Sequence, residues 1–162
     1  MRVTAAGTKR VAMAALICTK ADRRPRLIYR VHLDRGPATG RRKGFTETDY
    51  ASQLDAAHQQ LGGGPVVLVW DNLNTHVSRT MHELTAARLW LTVHQLPPYA
   101  PELNPVEGVG SHLKRSLANL IKHNLDQLTA LVKIRLKRMQ YRPGLRRHPL
   151  IDHGAGLVEQ GS

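Results

Sequence analysis

The sequence predicts an α/β fold, a mixed sheet with flanking helices, and three observations carry this. Val66-Val67-Leu68-Val69-Trp70 is an unbroken apolar run after Gly62-Gly63-Gly64-Pro65, the pattern of a strand buried on both faces, and it ends in a carboxylate at Asp71. Ser78 to Leu89 then reads as a helix and Leu91 to Leu96 as a strand, a β-α-β unit whose right-handed crossover sets the two strands parallel. Upstream, Val11 to Thr19 and Arg26 to Leu33 are two strand-like runs joined by the polar stretch 20–25, a hairpin by length and turn content. At 162 residues the chain is one domain's worth, long enough to bury a real core.

In chain order, Met1 to Arg10 and the eight apolar residues Val11–Cys18 are first weighed as a secretion signal. The apolar run is at the short limit, and Ile17 before Cys18 is too large for a cleavage site, so a strand is the better reading. In the second strand Leu27, Tyr29, Val31 and Leu33 share one wholly apolar face. Residues 34–45, with three glycines, a proline and Arg41-Arg42-Lys43, read as a basic loop. Thr46 to Leu61 is a helix carrying Tyr50, Leu54, Ala57 and Leu61 on one side, ended by the three glycines. Those glycines precede a strand rather than follow one, which argues against a phosphate-cradling loop.

Asn104 is a good N-cap and Pro105 suits a first helical turn, and Val106, Val109, Leu113, Leu117, Leu120 and Ile121 recur at helical spacing. A helix therefore begins here with Glu107 in its first turn. Entered from the C-terminal end of the second parallel strand, it starts at the same sheet edge as Asp71, where ligands collect in open α/β sheets. The last helix starts at Asn124, paired with Gln127 as a cap, with Leu125, Leu128, Val132, Leu136 and Met139 as its apolar stripe. Residues 141–162 read as a basic, irregular tail behind a domain of residues 1–140.

The formal charge of +12 is uneven: +10 over residues 1–43, −5 over 44–108 and +7 over 109–162. An acidic centre between basic flanks suits a cation-holding site within a surface that attracts a polyanion, nucleic acid first. Cys18, the single cysteine, excludes a disulfide framework and a thiolate metal cluster and points to a reducing compartment. No apolar run approaches the roughly 18–20 residues of a membrane span.

The element order β, β, α, β, α, β, α, α is the ribonuclease H-like order with the first strand missing. Trp70-Asp71-Asn72-Leu73-Asn74-Thr75-His76 and Pro97-Pro98-Tyr99-Ala100-Pro101-Glu102-Leu103-Asn104-Pro105-Val106-Glu107 resemble the second and third catalytic blocks of the DDE transposases of the Tc/mariner superfamily and their bacterial insertion-sequence relatives. The 35 residues between Asp71 and Glu107 match that family's spacing. The resemblance spans residues 10–140 and implies DNA cleavage and strand transfer at transposon ends and target, with Mg2+, or Mn2+ in its place, held by three acidic residues. It gives Asp71 and Glu107 the catalytic and metal-binding roles of second and third acid, Glu102 being second choice. Asn72, His76 and Asn104 become their supporting neighbours. Arg41, Arg42, Lys43, Lys114 and Arg115 are the candidate DNA contacts. The first acid, which in the family lies on the opening strand, has no counterpart here. The expected partners are DNA and either a second copy of the chain or an upstream polypeptide carrying the missing strand, and the expected location is cytoplasmic, at the nucleoid.

Bland readings stand beside each residue. Glu107 occupies the N3 place of a capping box, favoured there by the helix dipole without any metal, and Asp71 could be a strand-end turn residue. The rival function is a non-catalytic DNA- or partner-binding remnant in which the acids only cap and turn. A host nuclease of the same fold is a third reading, without support from the Pro97–Glu107 block.

Overall fold

The computed structural model describes residues 2–4, 10–20, 23–34, 44–98, 103–117, 125–141 and 157–160. The elements run β1 (Arg2–Thr4), β2 (Arg10–Cys18), β3 (Arg26–Asp34), α1 (Glu47–Gln60), β4 (Val66–Trp70), α2 (Arg79–Ala86), β5 (Leu91–Gln95), α3 (Pro105–Leu117), α4 (Leu125–Gln140) and β6 (Leu157–Gln160).

The sheet is built on β2. The expected hairpin is present: β3 pairs with β2 antiparallel along its whole length, from Arg10↔Asp34 to Cys18↔Arg26. Two short strands lie end to end along the other edge of β2, β6 opposite Ala15–Cys18 and β1 opposite Arg10–Ala12. β6 also pairs parallel with β4, which pairs parallel with β5 as the crossover argument requires. The order across the sheet is β3, β2, β6, β4, β5, with β1 continuing the line of β6.

Helices cover both faces. Val11, Met13, Ala15 and Ile17 of β2 pack with Leu27 under α3 and α4, against Val106, Val109, Leu113, Leu128, Val132 and Leu136. The alternate residues Ala14, Leu16 and Cys18 join Val66, Leu68 and Trp70 under α1 and α2, against Tyr50, Leu54, Ala57 and Met81. This period-two split makes β2 the strand buried on both faces. For β4 that expectation is corrected. Its burial alternates and Val67 is 41% exposed, because α3 and α4 lie over β2 and leave this face of β4 partly open. The layered architecture and the mixed sheet are those of the ribonuclease H-like fold.

Local chemistry explains the boundaries. Thr46 caps α1 in a full capping box, accepting from the Asp49 amide while the Asp49 carboxylate accepts from the Thr46 amide. Gly62, Gly63 and Gly64 all take positive φ (+87°, +75° and +93°), a run only glycine adopts without strain, and so turn α1 into β4. Ser78 caps α2, which ends at Ala86 rather than Leu89; Leu89 is 99% exposed and belongs to no stripe. β1 is too short for a periodic signal, and β6 lies inside the stretch read as an irregular tail, where Leu157-Val158 is an apolar pair too short to stand out. Leu120, Ile121 and Asn124 fall outside the described residues.

Candidate active site

Asp71 follows the last residue of β4 at the C-terminal edge of the parallel strands. Its neighbourhood is tied to the end of β5: the Leu96 amide donates to the Trp70 carbonyl (2.8 Å), and Asn72 Nδ2 donates to the Leu96 carbonyl (2.7 Å). The exits of the two strands are thereby clamped side by side. One carboxylate oxygen of Asp71 is fully engaged, Oδ1 accepting from the Leu73 amide at 3.0 Å and from His76 Nδ1 at 2.8 Å. The first bond is an Asx turn, so the strand-end role weighed above is real. The Asp71 side chain is still 31% exposed, and among the described residues Oδ2 carries no hydrogen bond. A turn that fixes one oxygen and leaves the other open holds a carboxylate in one orientation for a ligand.

His76 is the residue that does this fixing. It is 1% exposed, lies flat on the Trp70 indole (centroids 4.3 Å apart, planes at 4°) and meets the Tyr50 ring edge-on at 4.9 Å. Because a carboxylate only accepts, Nδ1 is the protonated nitrogen; Nε2 is buried and has no hydrogen-bond partner among the described residues. The loop closes on itself through the His76 and Val77 amides, which donate to the Leu73 carbonyl. Ser78 Oγ then donates to Glu47 Oε1 at 3.0 Å, fastening the loop to α1. Sequence reasoning placed His76 beside Asp71 but missed Trp70 and Tyr50 as its supports. The signal was there in the aromatic residue immediately before the acid.

Glu107 sits, half-buried, in the first turn of α3. Asn104 caps this helix as expected: it is 3% exposed, its Oδ1 accepts from the Val106 amide (3.1 Å) and its carbonyl from the Glu107 amide (3.0 Å), while its buried Nδ2 has no hydrogen-bond partner among the described residues. Val106 and Val109 fix the helix on the β2 face, on either side of the acid in sequence. Lys114 and Arg115 are exposed in the last turn of α3, where the helix dipole also favours cations. Arg41, Arg42, Lys43 and Glu102 lie outside the described residues.

Carboxylate oxygens, one of them unengaged on Asp71, are the donor chemistry a hard divalent cation selects. Their number falls short: among the described residues no group of three His, Cys, Asp or Glu side chains comes together to hold an ion.

No curated protein matches the chain. Among solved structures it is similar to a chain of the simian T-cell lymphotropic virus intasome, determined by cryo-EM in complex with the PP2A regulatory subunit B56 gamma, at 13% identity and a TM-score of 0.49. The match covers 87% of this chain and 46% of that one, so the chain spans about half the length of this solved relative. The family model described as DDE superfamily endonuclease matches residues 37–131, a stretch that holds Asp71, His76 and Glu107 and more than half of the sequence. The chain belongs to the DDE superfamily endonucleases.

Proposed function

We propose that this chain is the catalytic-core portion of a DDE transposase, contributing two of three acids to metal-dependent DNA cleavage and strand transfer, and that residues 1–162 alone do not cut. One observation carries the reading: within the family-matched stretch, the half-exposed carboxylate of Asp71 stands at the exit of β4, clamped to the exit of the parallel strand that leads into the Glu107 helix. Asp71 and Glu107 are the residues that would hold Mg2+, or Mn2+ in its place. Such ions, when bound, activate the attacking oxygen and stabilise the leaving one. The chain's own work is positional. His76 and the Leu73 amide hold Asp71 by one oxygen, Asn72 keeps the strand exits together, and Asn104 starts the helix that presents Glu107.

Arg41, Arg42, Lys43, Lys114 and Arg115 are assigned to the phosphate backbone of transposon-end and target DNA, and the nucleoid is the location this reading proposes. Among the described residues no helix is long and apolar enough to cross a membrane. The rival reading, a binding remnant in which the acids only turn and cap, draws on the Asx turn at Asp71 and the Asn104 cap. Activity separates the two. Residues 1–162 are compared with the same chain extended upstream by an acid-bearing strand, on end-labelled duplex in Mg2+ or Mn2+. The proposal expects cleavage from the extended form alone. Extended chain that binds DNA and never cuts it supports the remnant.

A further inference from the structure

The groove between β2 and β4 makes a demand that the chain meets from an unexpected place. Ala15, Leu16, Ile17 and Cys18 of β2 are at most 1% exposed, and an unpaired edge there would leave ladder groups and apolar surface open. β6, only four residues long, fills the position, antiparallel to β2 through Ala15↔Gln160 to Cys18↔Leu157 and parallel to β4 through Leu68↔Leu157 to Trp70↔Glu159. Its line is continued by β1, with Arg2 opposite Ala12. Two pieces from opposite ends of the chain thus share one strand position.

Fifteen residues of the sequence, 142–156, separate Tyr141 from β6. Gln140, at the end of α4, donates to the Leu27 carbonyl, and Leu27 and Val158 flank Ile17 on its two sides. The end of α4 and the start of β6 therefore lie at one level, about 15 Å apart by two strand spacings and one layer. Residues 142–156 join them, a length that reaches about 50 Å when extended. A domain of this size has a radius of gyration of about 15 Å, so the same connection reaches the groove of a neighbouring molecule.

We propose that the groove between β2 and β4 is a strand-acceptor site at which Leu157–Gln160 of one copy of this chain exchanges with that of a second copy. The strand pairs made in trans are the pairs made in cis, so only the connection distinguishes the two forms and concentration sets their ratio. The proposal is independent of the chemistry assigned to Asp71 and Glu107.

The register supplies the test, because Leu157 stands opposite Cys18, the one cysteine of the sequence. Directly opposed antiparallel residues have the Cα separation that a disulfide accepts. Full-length chain carrying Cys18→Ser and Leu157→Cys is mixed with unaltered chain, at concentrations approaching the roughly millimolar effective concentration of a tethered strand, and oxidised. Peptide mass mapping is expected to find Cys18 of one chain joined to residue 157 of the other, about tenfold more than with Val158→Cys in place of Leu157→Cys, since the register pairs Cys18 with position 157 and Ile17 with position 158. A chain with Leu157→Cys and Cys18 retained is oxidised in parallel. An intrachain bond there without any cross-chain bond would overturn the exchange. No bond in either experiment, or equal bonding at 157 and 158, would overturn the strand's place in the groove.

Discussion

Replacing His76 in two ways separates its packing from its hold on Asp71. His76→Ala deletes a ring that is 1% exposed, stacked on Trp70 and edge-on to Tyr50. Lost burial amounts to about 2 kcal/mol and the lost ring pair to about 1 kcal/mol. The lost hydrogen bond to Asp71 adds about 1 kcal/mol, taken low because water reaches a carboxylate that is 31% exposed. Removal of the buried Nε2 offsets about 1 kcal/mol, so the expected cost is about 3 kcal/mol, a fall in Tm of about 10 °C for a domain of this length. His76→Phe keeps the ring and the stack, loses the bond to Asp71, and removes the buried, unpartnered Nε2, whose relief offsets about 1 kcal/mol. It is expected to stay within about 1 kcal/mol of the unaltered chain. Urea and thermal unfolding of both variants measure this. A phenylalanine variant as unstable as the alanine variant would refute the division, showing that the bond to Asp71 and not the ring holds the loop.

Two further outcomes follow from the same geometry. Arg88 donates to Asp55 through both Nε and an Nη, each at 2.7 Å, joining the turn after α2 to α1. The bonds from Arg88 hold the Asp55 carboxyl below its ordinary 3.8 against an opposing effect of burial. The stability it contributes is therefore complete above pH 3.8 and lost as pH falls through the lower, folded value; in Asp55→Asn this part of the acid dependence of unfolding should disappear. For the proposed DNA contacts, Lys114→Ala combined with Arg115→Ala should flatten the dependence of duplex affinity on salt by about two in log–log slope, with little change between sequences. A slope unaltered in fluorescence-anisotropy titrations would remove α3 from the DNA-binding surface.

The legible parts of the fold were those with period or punctuation. The β2–β3 hairpin shows alternating apolar residues about a polar turn, and three glycines mark where α1 must reverse. The crossover rule makes β4 and β5 parallel before any coordinate is seen, and it brings Asp71 to the strand exit. That one face of β4 stays partly open was not legible, because an apolar run looks alike under one helix layer or two and only packing decides that α3 and α4 lie over β2. β6 was hidden for another reason. Leu157-Val158-Glu159-Gln160 has no period to read, and its strand state comes from the edges of β2 and β4 on either side. At the site, the residue types at Asp71, His76 and Glu107 spoke through their spacing and family resemblance. The support of His76 by Tyr50, twenty-six positions away on α1, is a tertiary contact that no local pattern carries.

The central claim, that Asp71 and Glu107 act on one ion, is tested most directly by Mn2+ binding to residues 1–162, read from the loss of the free-ion electron paramagnetic resonance signal. With only two acids assigned, binding is expected to be weak, with a Kd of about a millimolar. Asp71→Asn and Glu107→Gln should each weaken it about tenfold or more, with unchanged unfolding temperature, and the double variant should lose little beyond either single change. Full binding retained in either single variant, or losses that simply add, would show that the two carboxylates do not share an ion and would contradict the account.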